Sequence, residues 1–341
     1  MAKAVDRPLM KPERLSVCER CKCPEKVRNL TLIDAHTHVF PNVNGINKAG
    51  PTLGIGHGRA SVGAKTMHVT PDFGATTSFL PGRMVSEMDA AGVQQVVLLQ
   101  GPFWGECNAC AAEAVRQYPD RFVAQAYLDP WDDDWQARLD KILGAETFRG
   151  IKIEFSEATG LAGIHSGARL DDHDLDLLWA TLARENRVLT LDLGAVAAAS
   201  YQTRAVARLA LQHPSLRIVI CHLAQPCPAV VEDSALMRLW QEQIDLGRMP
   251  NVYFDTASLP AYFLDDGYPF SSCRDFIERA VETVGPEKIL WGSDVPGTLT
   301  ACTYSQYVEL ALRHTDFLSA SQQEQILSKN AGHVYGSPNA N

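Results

Sequence analysis

Two histidines one residue apart, His36 and His38, stand at the end of an apolar run in the segment LIDAHTHVFP, residues 32–41. Strand side chains alternate between two faces, so these imidazoles point to the same side if the run is a β-strand. Imidazole nitrogens are common ligands of zinc and similar divalent ions. The spacing therefore indicates a strand whose end presents two imidazoles that could hold one ligand together, and whether that ligand is a metal ion depends on the rest of the chain.

Seven further short apolar runs follow, and each is bounded by turn residues and followed by a segment of helical periodicity. Eight strand-then-helix units in series, with no linker between them, are typical of a single α/β domain of the (β/α)8 type, the TIM barrel. An open doubly wound sheet is the alternative, but its glycine-rich phosphate turn after the first strand is missing here. The predicted strands are residues 30–36, 93–100, 121–129, 149–155, 187–194, 216–222, 251–257 and 288–294.

The barrel is expected to span residues 30–337, with residues 1–29 as a short polar N-terminal extension. A long connection between the first strand and the first helix, residues 41–82, is rich in Gly, Pro, Thr and His. A connection of this length in a compact domain is usually a lid or a binding loop. In a TIM barrel it lies at the C-terminal rim, where this fold carries its chemistry.

The composition excludes several classes of protein. The chain has 341 residues, of which 46% are hydrophobic and 21% charged, as in ordinary globular proteins. The net charge of −9, without a long basic run, gives no support for a nucleic-acid partner. The chain has no signal-peptide core near its start and no apolar run of about eighteen residues, so we expect a cytoplasmic protein without a membrane partner.

Nine cysteines, an odd number, cannot all pair in disulfides, and a chain of this length does not need them. Cys18, Cys21 and Cys23 lie in CERCKC, and Cys107 and Cys110 lie in CNAC. These spacings would suit a structural zinc ion, but no second pair recurs at a regular interval. Free thiols are the interpretation that we prefer.

Polar side chains end nearly every predicted strand. A single histidine there is more often a hydrogen-bonded core residue, and a single aspartate is more often a helix cap. The first strand, however, ends in His36 and His38, the sixth in His222 and the eighth in Asp294, and these ends meet at one rim of a barrel. Imidazole and carboxylate together suit a divalent ion that polarises a carbonyl and activates water. The other strand ends supply Asp129, Lys152, Glu154, Asp192 and Asp255.

Seven segments resemble, in the same order, the signatures of the amidohydrolase superfamily, in its amidohydrolase-2 branch. The resemblance covers roughly residues 31–336, and its His-x-His and Trp-Gly-Ser-Asp elements are specific when both lie on barrel strands. The segments are IDAHTHVF, GIKIEF, LDLG, CHLAQP, YFDTAS, ILWGSDVPG and KNAGHVYG.

The resemblance implies a role for each matching position. His36 and His38 correspond to the metal-binding pair of the first strand, and His222 corresponds to the strand-six histidine that binds the metal or polarises the substrate. Asp294 corresponds to the strand-eight aspartate, which contacts the metal and moves the proton of the attacking water. The implied cofactor is Zn²⁺, with Mn²⁺ as the other candidate. Barrels of this branch often dimerise, so the resemblance also leaves a homodimer open.

One position departs from the family pattern. Many members, including the decarboxylases, carry a histidine at the end of strand five, where this chain has Asp192 in LTLDLG. This aspartate resembles the sugar-lactone and pyrone-lactone hydrolases, some of which work without a metal. In that case Asp294 would act directly as the general base, so metal-independent catalysis stays open. Asp192 would either be a ligand or orient a neighbour through a hydrogen bond.

Two side chains of the fourth strand are further candidates. Lys152 and Glu154 share one face of that strand, so they would either pair with each other or point into the barrel mouth. We therefore count Lys152 among the candidate catalytic residues, together with Asp294, His222 and Asp192.

Substrate contacts are expected from the long connection and from the loops after the second and third strands. Arg59, His68 and Arg83 could meet an anionic substrate, because arginine binds carboxylates through two parallel hydrogen bonds. Trp104 could form an aromatic wall for a ring-shaped substrate, although packing at the rim explains it equally well. His57 and Trp131 are further candidates of the same two kinds.

Hydrolysis of a small carbonyl substrate, a lactone or cyclic ester, is the function that we predict, with an anionic or cyclic small molecule as the substrate. Water would be activated by a metal ion and Asp294, or by Asp294 alone. A metal-dependent, non-oxidative decarboxylase of an aromatic or unsaturated carboxylic acid is the alternative, and Asp192 in place of a histidine favours hydrolysis over it. A non-catalytic barrel is a third hypothesis, against which the presence of all four central residues argues.

Overall fold

The computed structural model describes residues 30–336, and the predicted extension, which carries Cys18, Cys21 and Cys23, lies outside them. The described residues form these strands: β1 (Ile33–Thr37), β2 (Asn44–Asn47), β3 (Gly50–Gly56), β4 (Arg59–Val62), β5 (Lys65–His68), β6 (Gln95–Leu98), β7 (Phe122–Tyr127), β8 (Phe148–Glu154), β9 (Val188–Asp192), β10 (Arg217–Ile220), β11 (Val252–Asp255) and β12 (Ile289–Leu290). Eight of them pair in parallel in the order β1-β6-β7-β8-β9-β10-β11-β12. This nearly closed sheet confirms the predicted barrel and all eight of its strands.

The two ends of the sheet meet between β1 and the segment that follows β12. The Ala35 N–H donates to the Trp291 carbonyl, and the His38 N–H donates to the Val295 carbonyl, both at 2.8 Å. In return, the Asp294 N–H donates to the His36 carbonyl at 2.8 Å. This seam therefore places the first-strand histidines directly beside the last-strand aspartate.

Helices follow every barrel strand, as predicted, but the units after β8, β10 and β11 insert a short helix before the long one. Local signals fix their ends: the first helix begins with Pro81 and ends just before Gly92, whose φ of 75° is left-handed, and Thr303 with Gln306 forms a capping box on the helix that begins at Tyr304. The helices are α1 (Pro81–Ala91), α2 (Asn108–Gln117), α3 (Trp135–Gly144), α4 (Leu161–Ile164), α5 (Asp176–Arg184), α6 (Thr203–Gln212), α7 (Pro228–Glu232), α8 (Ser234–Ile244), α9 (Leu259–Tyr262), α10 (Ser271–Val284), α11 (Tyr304–His314), α12 (Ala320–Glu324) and α13 (Asn330–Tyr335). Within residues 30–336, none of these helices combines the length and the apolar character that crossing a membrane requires.

The long connection after β1 contains a feature that the sequence analysis did not predict. Strands β2 to β5 form a four-stranded antiparallel sheet. The sheet is fixed to the loop after β6, because the Asn44 N–H donates to the Trp104 carbonyl at 3.2 Å and the Ile46 N–H donates to the Pro102 carbonyl at 2.9 Å. Strands this short and rich in glycine have a weak apolar alternation, so the residue pattern resembles an irregular loop.

Apolar side chains fill the inside of the barrel below the strand ends, and α13 seals it. The hydroxyls of Tyr335 on α13 and Thr190 on β9 lie 3.0 Å apart, within hydrogen-bond distance. Burial of these apolar side chains away from water stabilises the barrel and holds the strand ends in place. The cluster consists of Ile33, Ala35, Val97, Leu99, Val123, Val188, Val219, Tyr253, Leu290, Ala331, Val334 and Tyr335.

Candidate active site

A cavity of about 300 Å³ opens where the barrel strands end, with residues of β5 and of the loop after β6 at its mouth. His36 is fully buried beside it, and its ring centroid lies 5.2 Å from that of His38 and 4.9 Å from that of His222. The structure thus brings together side chains that are far apart in the chain. The predicted site residues that line the cavity are His38, His68, Trp104, Lys152, Asp192, His222 and Asp294.

Two of the predicted substrate contacts lie elsewhere. Arg59 is an exposed residue of β4, and the guanidinium of Arg83 on α1 lies 4.5 Å from the centre of the Phe73 ring. His57 is also exposed and contacts Asp72 at 3.2 Å. Trp131 stacks on Phe155 at 5.4 Å rather than facing the cavity. None of the described residues that line the cavity is an arginine.

The ring of His36 is held so that one nitrogen is left free. Its Nδ1 donates to Oδ2 of Asp255, a fully buried carboxylate, at 3.0 Å. Burial lowers the pKa of His36, so the ring is neutral and Nε2 carries a lone pair. Among residues 30–336 this buried Nε2 has no hydrogen-bond partner, and it lies 3.7 Å from Oδ1 of Asp294.

The ring of His38 is held in the same way by a backbone group. Its Nδ1 donates to the Leu99 carbonyl at 2.7 Å, and its Nε2 lies 2.8 Å from Oδ1 of Asp294. If the His38 Nδ1 carries the proton that the Leu99 carbonyl accepts, Nε2 is an acceptor. Nε2 then faces a second acceptor, Oδ1 of Asp294, at 2.8 Å, and the two atoms need a proton or a cation beside them.

The free atoms converge on one point. His36, His38 and Asp294 each offer a ligand atom, and these three atoms lie within 4.8 Å of one another. The second nitrogen of each histidine is held by an acceptor, which is the usual outer-shell arrangement around a bound metal. The donor set therefore fits a divalent metal ion, with the orphaned Nε2 of His36 as the clearest sign.

Asp294 is held in its charged form. Burial alone would raise the pKa of Asp294, but its close contact with His38 and the attraction of the protonated His222 hold it well below its usual range. Its Oδ2 accepts a hydrogen bond from the Ser258 hydroxyl, which leaves Oδ1 facing the histidines. The carboxylate is therefore fixed and ionised at neutral pH.

His222 has a different environment from the other two histidines. Its Nε2 faces Oδ2 of Asp192 at 3.3 Å, and its Nδ1 faces the Ala257 carbonyl at 3.2 Å. Burial opposes a charge on His222, but the attraction of Asp192 outweighs it and raises the pKa of His222 to about 9. With both nitrogens facing acceptors, the ring is arranged as a protonated donor, and Asp192 has the geometry of a residue that orients a neighbour.

Lys152 and Glu154 satisfy both sequence interpretations, because they pair with each other and also line the cavity. Their charged atoms lie 3.2 Å apart, and the Thr159 hydroxyl donates to the other oxygen of Glu154 at 2.6 Å. Burial would lower the pKa of Lys152, but Glu154 raises it above its usual range, so the lysine stays charged. A Cβ at Gly101 would lie 2.7 Å from the same carboxylate, which explains the glycine there.

Sequence reasoning missed three residues that complete the site. Asp255 orients His36 and also accepts the His222 N–H at 2.8 Å, although the sequence analysis noted it only as a strand end. Ser258 fixes Asp294, and Tyr262 lines the cavity. The segment YFDTAS, which carried part of the family resemblance, contains both Asp255 and Ser258 and was the available signal.

The two described cysteines of the proposed structural zinc site lie near α2. Cys107 is buried and Cys110 is partly buried, and neither forms a disulfide with another described cysteine. Burial raises the pKa of Cys107 to about 12, so its thiol stays protonated. Within residues 30–336 neither belongs to a group of metal-ligating side chains.

The amidohydrolase family model matches residues 33–337, so the chain belongs to the amidohydrolase family. The protein is thus a hydrolase or a related enzyme of a superfamily that depends on metal. A search of curated proteins found no match.

Solved structures show the same fold at low sequence identity. A zinc-bound amidohydrolase from Burkholderia multivorans is 18% identical, with a TM-score of 0.66 over 90% of this chain and 100% of that one. A probable 2-pyrone-4,6-dicarboxylic acid hydrolase from Acinetobacter baumannii is 20% identical, with a TM-score of 0.63 over 90% and 100%. A 5-carboxyvanillate decarboxylase from Sphingomonas paucimobilis is 14% identical, with a TM-score of 0.53 over 76% and 84%. Hydrolases and decarboxylases therefore share this fold.

Proposed function

We propose that this protein hydrolyses a lactone or another cyclic ester. The observation that carries the proposal is the convergence of two histidine lone pairs and the ionised Asp294 at one cavity, beside a protonated His222. A zinc ion is the cofactor that we propose, because imidazole and carboxylate ligands suit it and a related fold contains it. The Asp192–His222 pair, where decarboxylases of the family carry a histidine, favours hydrolysis.

The residues of the chain divide the chemistry between them. His36, His38 and Asp294 would hold the ion, which when bound polarises a carbonyl and lowers the pKa of water. Asp294 is ionised and faces the cavity, so it can accept the proton of the attacking water. His222, kept protonated by Asp192, can donate to the carbonyl oxygen as negative charge develops there. Trp104, which stacks on Phe40 at 4.4 Å, forms an apolar wall.

The charges in the cavity narrow the substrate class. Lys152 has Glu154 as its partner at 3.2 Å, and His222 has Asp192 at 3.3 Å, so both cations are already paired. With no arginine among the described lining residues, two carboxylates on a substrate would find no free bidentate partner. We therefore propose a cyclic ester that is uncharged or carries a single carboxylate.

The test is turnover of a matched substrate panel by the zinc-loaded protein. A pH indicator follows acid release from uncharged γ- and δ-lactones and from 2-pyrone-4,6-dicarboxylate, and a coupled assay follows carbon dioxide from hydroxybenzoates. We expect acid release from uncharged lactones, and Asp294→Asn should lower kcat by about 10³-fold. Carbon dioxide release without lactone hydrolysis would instead support the decarboxylase, and no turnover of any substrate would support a non-catalytic barrel.

A further inference from the structure

Four consecutive residues after β10 have a left-handed backbone although none is a glycine. The φ angles are 60° at His222, 49° at Leu223, 58° at Ala224 and 54° at Gln225. Each is disfavoured for an L-residue, because its Cβ comes too close to the following carbonyl oxygen. We call residues 222–225 the His222 turn. Because its conformation is intrinsically unfavourable, contacts from outside the turn must hold it.

Two buried side chains from other elements hold its carbonyl groups. The indole N–H of Trp240 on α8 donates to the Leu223 carbonyl at 2.9 Å, and the Tyr201 hydroxyl donates to the Ala224 carbonyl at 3.0 Å. Trp240 is fully buried and Tyr201 is 4% exposed. Neither is among the residues that line the cavity, so neither would contact a substrate bound there.

We propose that Tyr201 and Trp240 are positioning residues, which keep the His222 turn left-handed and thereby fix the His222 imidazole against Asp192 at the cavity. Rotation of φ at His222 toward negative values would redirect its Cα–Cβ bond and carry the ring away from Asp192. The inference rests on the proposed function only for its effect on turnover, because the position of the ring is measurable without a substrate.

The experiment compares three variants of the full-length zinc protein. Trp240→Phe and Tyr201→Phe each remove one donor to the turn. Trp179→Phe is the matched control, since Trp179 is 1% exposed and donates to the Leu170 carbonyl at 3.1 Å, away from the site. Long-range ¹H–¹⁵N NMR reports the ring nitrogens of His222, assigned with His222→Gln. We expect both turn variants to shift these signals and lower kcat about tenfold, with KM within about threefold, and the control to do neither.

A rescue variant separates positioning from general damage. Glycine adopts a φ near that of Ala224 without a steric penalty, so Ala224→Gly should lessen the need for the Tyr201 hydrogen bond. We expect the double variant of Tyr201→Phe with Ala224→Gly to recover the wild-type ring signals and at least about a third of kcat. The proposal is overturned if both turn variants leave the His222 signals as the control does. If the ring signals respond but no lactone is turned over, only the proposed function fails.

Discussion

At the residue scale, the candidate site depends on hydrogen bonds that use up one atom of each functional group and so free the other. His36 and His38 both donate from Nδ1 to a fixed acceptor, so Nε2 is the nitrogen left for a ligand. Ser258 binds one oxygen of Asp294 and leaves the other toward the histidines. Such outer contacts determine the tautomer and the orientation of a metal ligand, and they are part of its affinity.

Removal of the Ser258 hydroxyl tests this dependence. In Ser258→Ala the Asp294 carboxylate loses the hydrogen bond that fixes its Oδ2. We therefore expect the affinity of the protein for zinc to fall by about tenfold or more. Competition with a chromophoric chelator measures the affinity. Ser86→Ala is the control, because that hydroxyl is exposed on α1 and bonds to Gly82. Equal affinities in the two variants would contradict the role of Ser258.

The charge on His222 depends on Asp192 in the same way. Burial alone favours the neutral ring and Asp192 is the main charge that opposes it, so Asp192→Asn should lower the pKa of His222 from about 9 toward its ordinary value of 6.5. A raised folded-state pKa stabilises the fold below pH 6.5, and this stabilisation is lost as the pH rises through 9. We therefore expect the free energy of unfolding of the wild type to decrease over that range, and the variant to lack the decrease.

Urea unfolding at several pH values, with an NMR titration of the His222 ring in metal-stripped protein, provides the measurement. Asp233→Asn, which alters an exposed helix cap on α8, serves as the control for the loss of one aspartate. An unchanged titration midpoint in Asp192→Asn would show that another group supplies the charge.

At the scale of elements, the regular barrel strands are followed by residues whose backbone conformation is strained. Of the ten described non-glycine residues with positive φ, six lie in the His222 turn, at Ser258 or at Asp294. Each costs about 1 kcal/mol or more, and such strain persists where the surrounding structure determines it and where function uses it. The barrel strands supply the rigid frame that holds these residues in their strained conformations.

The sequence predicted the frame better than the details that depend on contacts. All eight strands, and the polar residues at the ends of seven of them, could be predicted, because apolar periodicity and turn residues are local signals. The four-stranded sheet of the long connection could not be predicted in this way. The placement of Arg59 and Arg83 outside the cavity could not be predicted either. The left-handed turn at Leu223 to Gln225 has no glycine to indicate it, since tertiary hydrogen bonds rather than local preference determine its conformation.

The sheet β2–β5 packs closely against the loop that carries Trp104, a residue of the cavity wall. A Cβ at Gly45 would lie 2.0 Å from the Pro102 carbonyl oxygen and 2.6 Å from that of Phe103. We expect Gly45→Ala to destabilise the protein by about 1–3 kcal/mol through overpacking and to raise KM, while zinc affinity stays unchanged. Chemical denaturation and chelator competition provide the measurements, and Gly144→Ala, which meets nothing within 4 Å, is the control. A loss of zinc affinity in Gly45→Ala would contradict this separation of the sheet from the metal site.

At the scale of the whole molecule, the candidate metal site lies on the seam that closes the barrel. His36 and His38 belong to β1 and its end, and Asp294 follows the two-residue strand β12. Three backbone hydrogen bonds at 2.8 Å join these two edges. A bound ion would therefore link the first strand to the last, and metal binding would then be coupled to closure of the sheet.

This coupling predicts that metal removal destabilises the entire barrel and not just the cavity. A ligand that binds only the folded state stabilises it by about 2.7 kcal/mol when present at a hundred times its dissociation constant. We expect the zinc-loaded protein to unfold at a higher temperature than the chelator-treated protein, and hydrogen exchange to rise after stripping chiefly in residues 33–38 and 289–295. Asp294→Asn should show a much smaller zinc-dependent shift, because the ligand from the last strand has lost its charge. If exchange rises evenly around the barrel, or if the variant responds to zinc as the wild type does, the ion does not hold the seam.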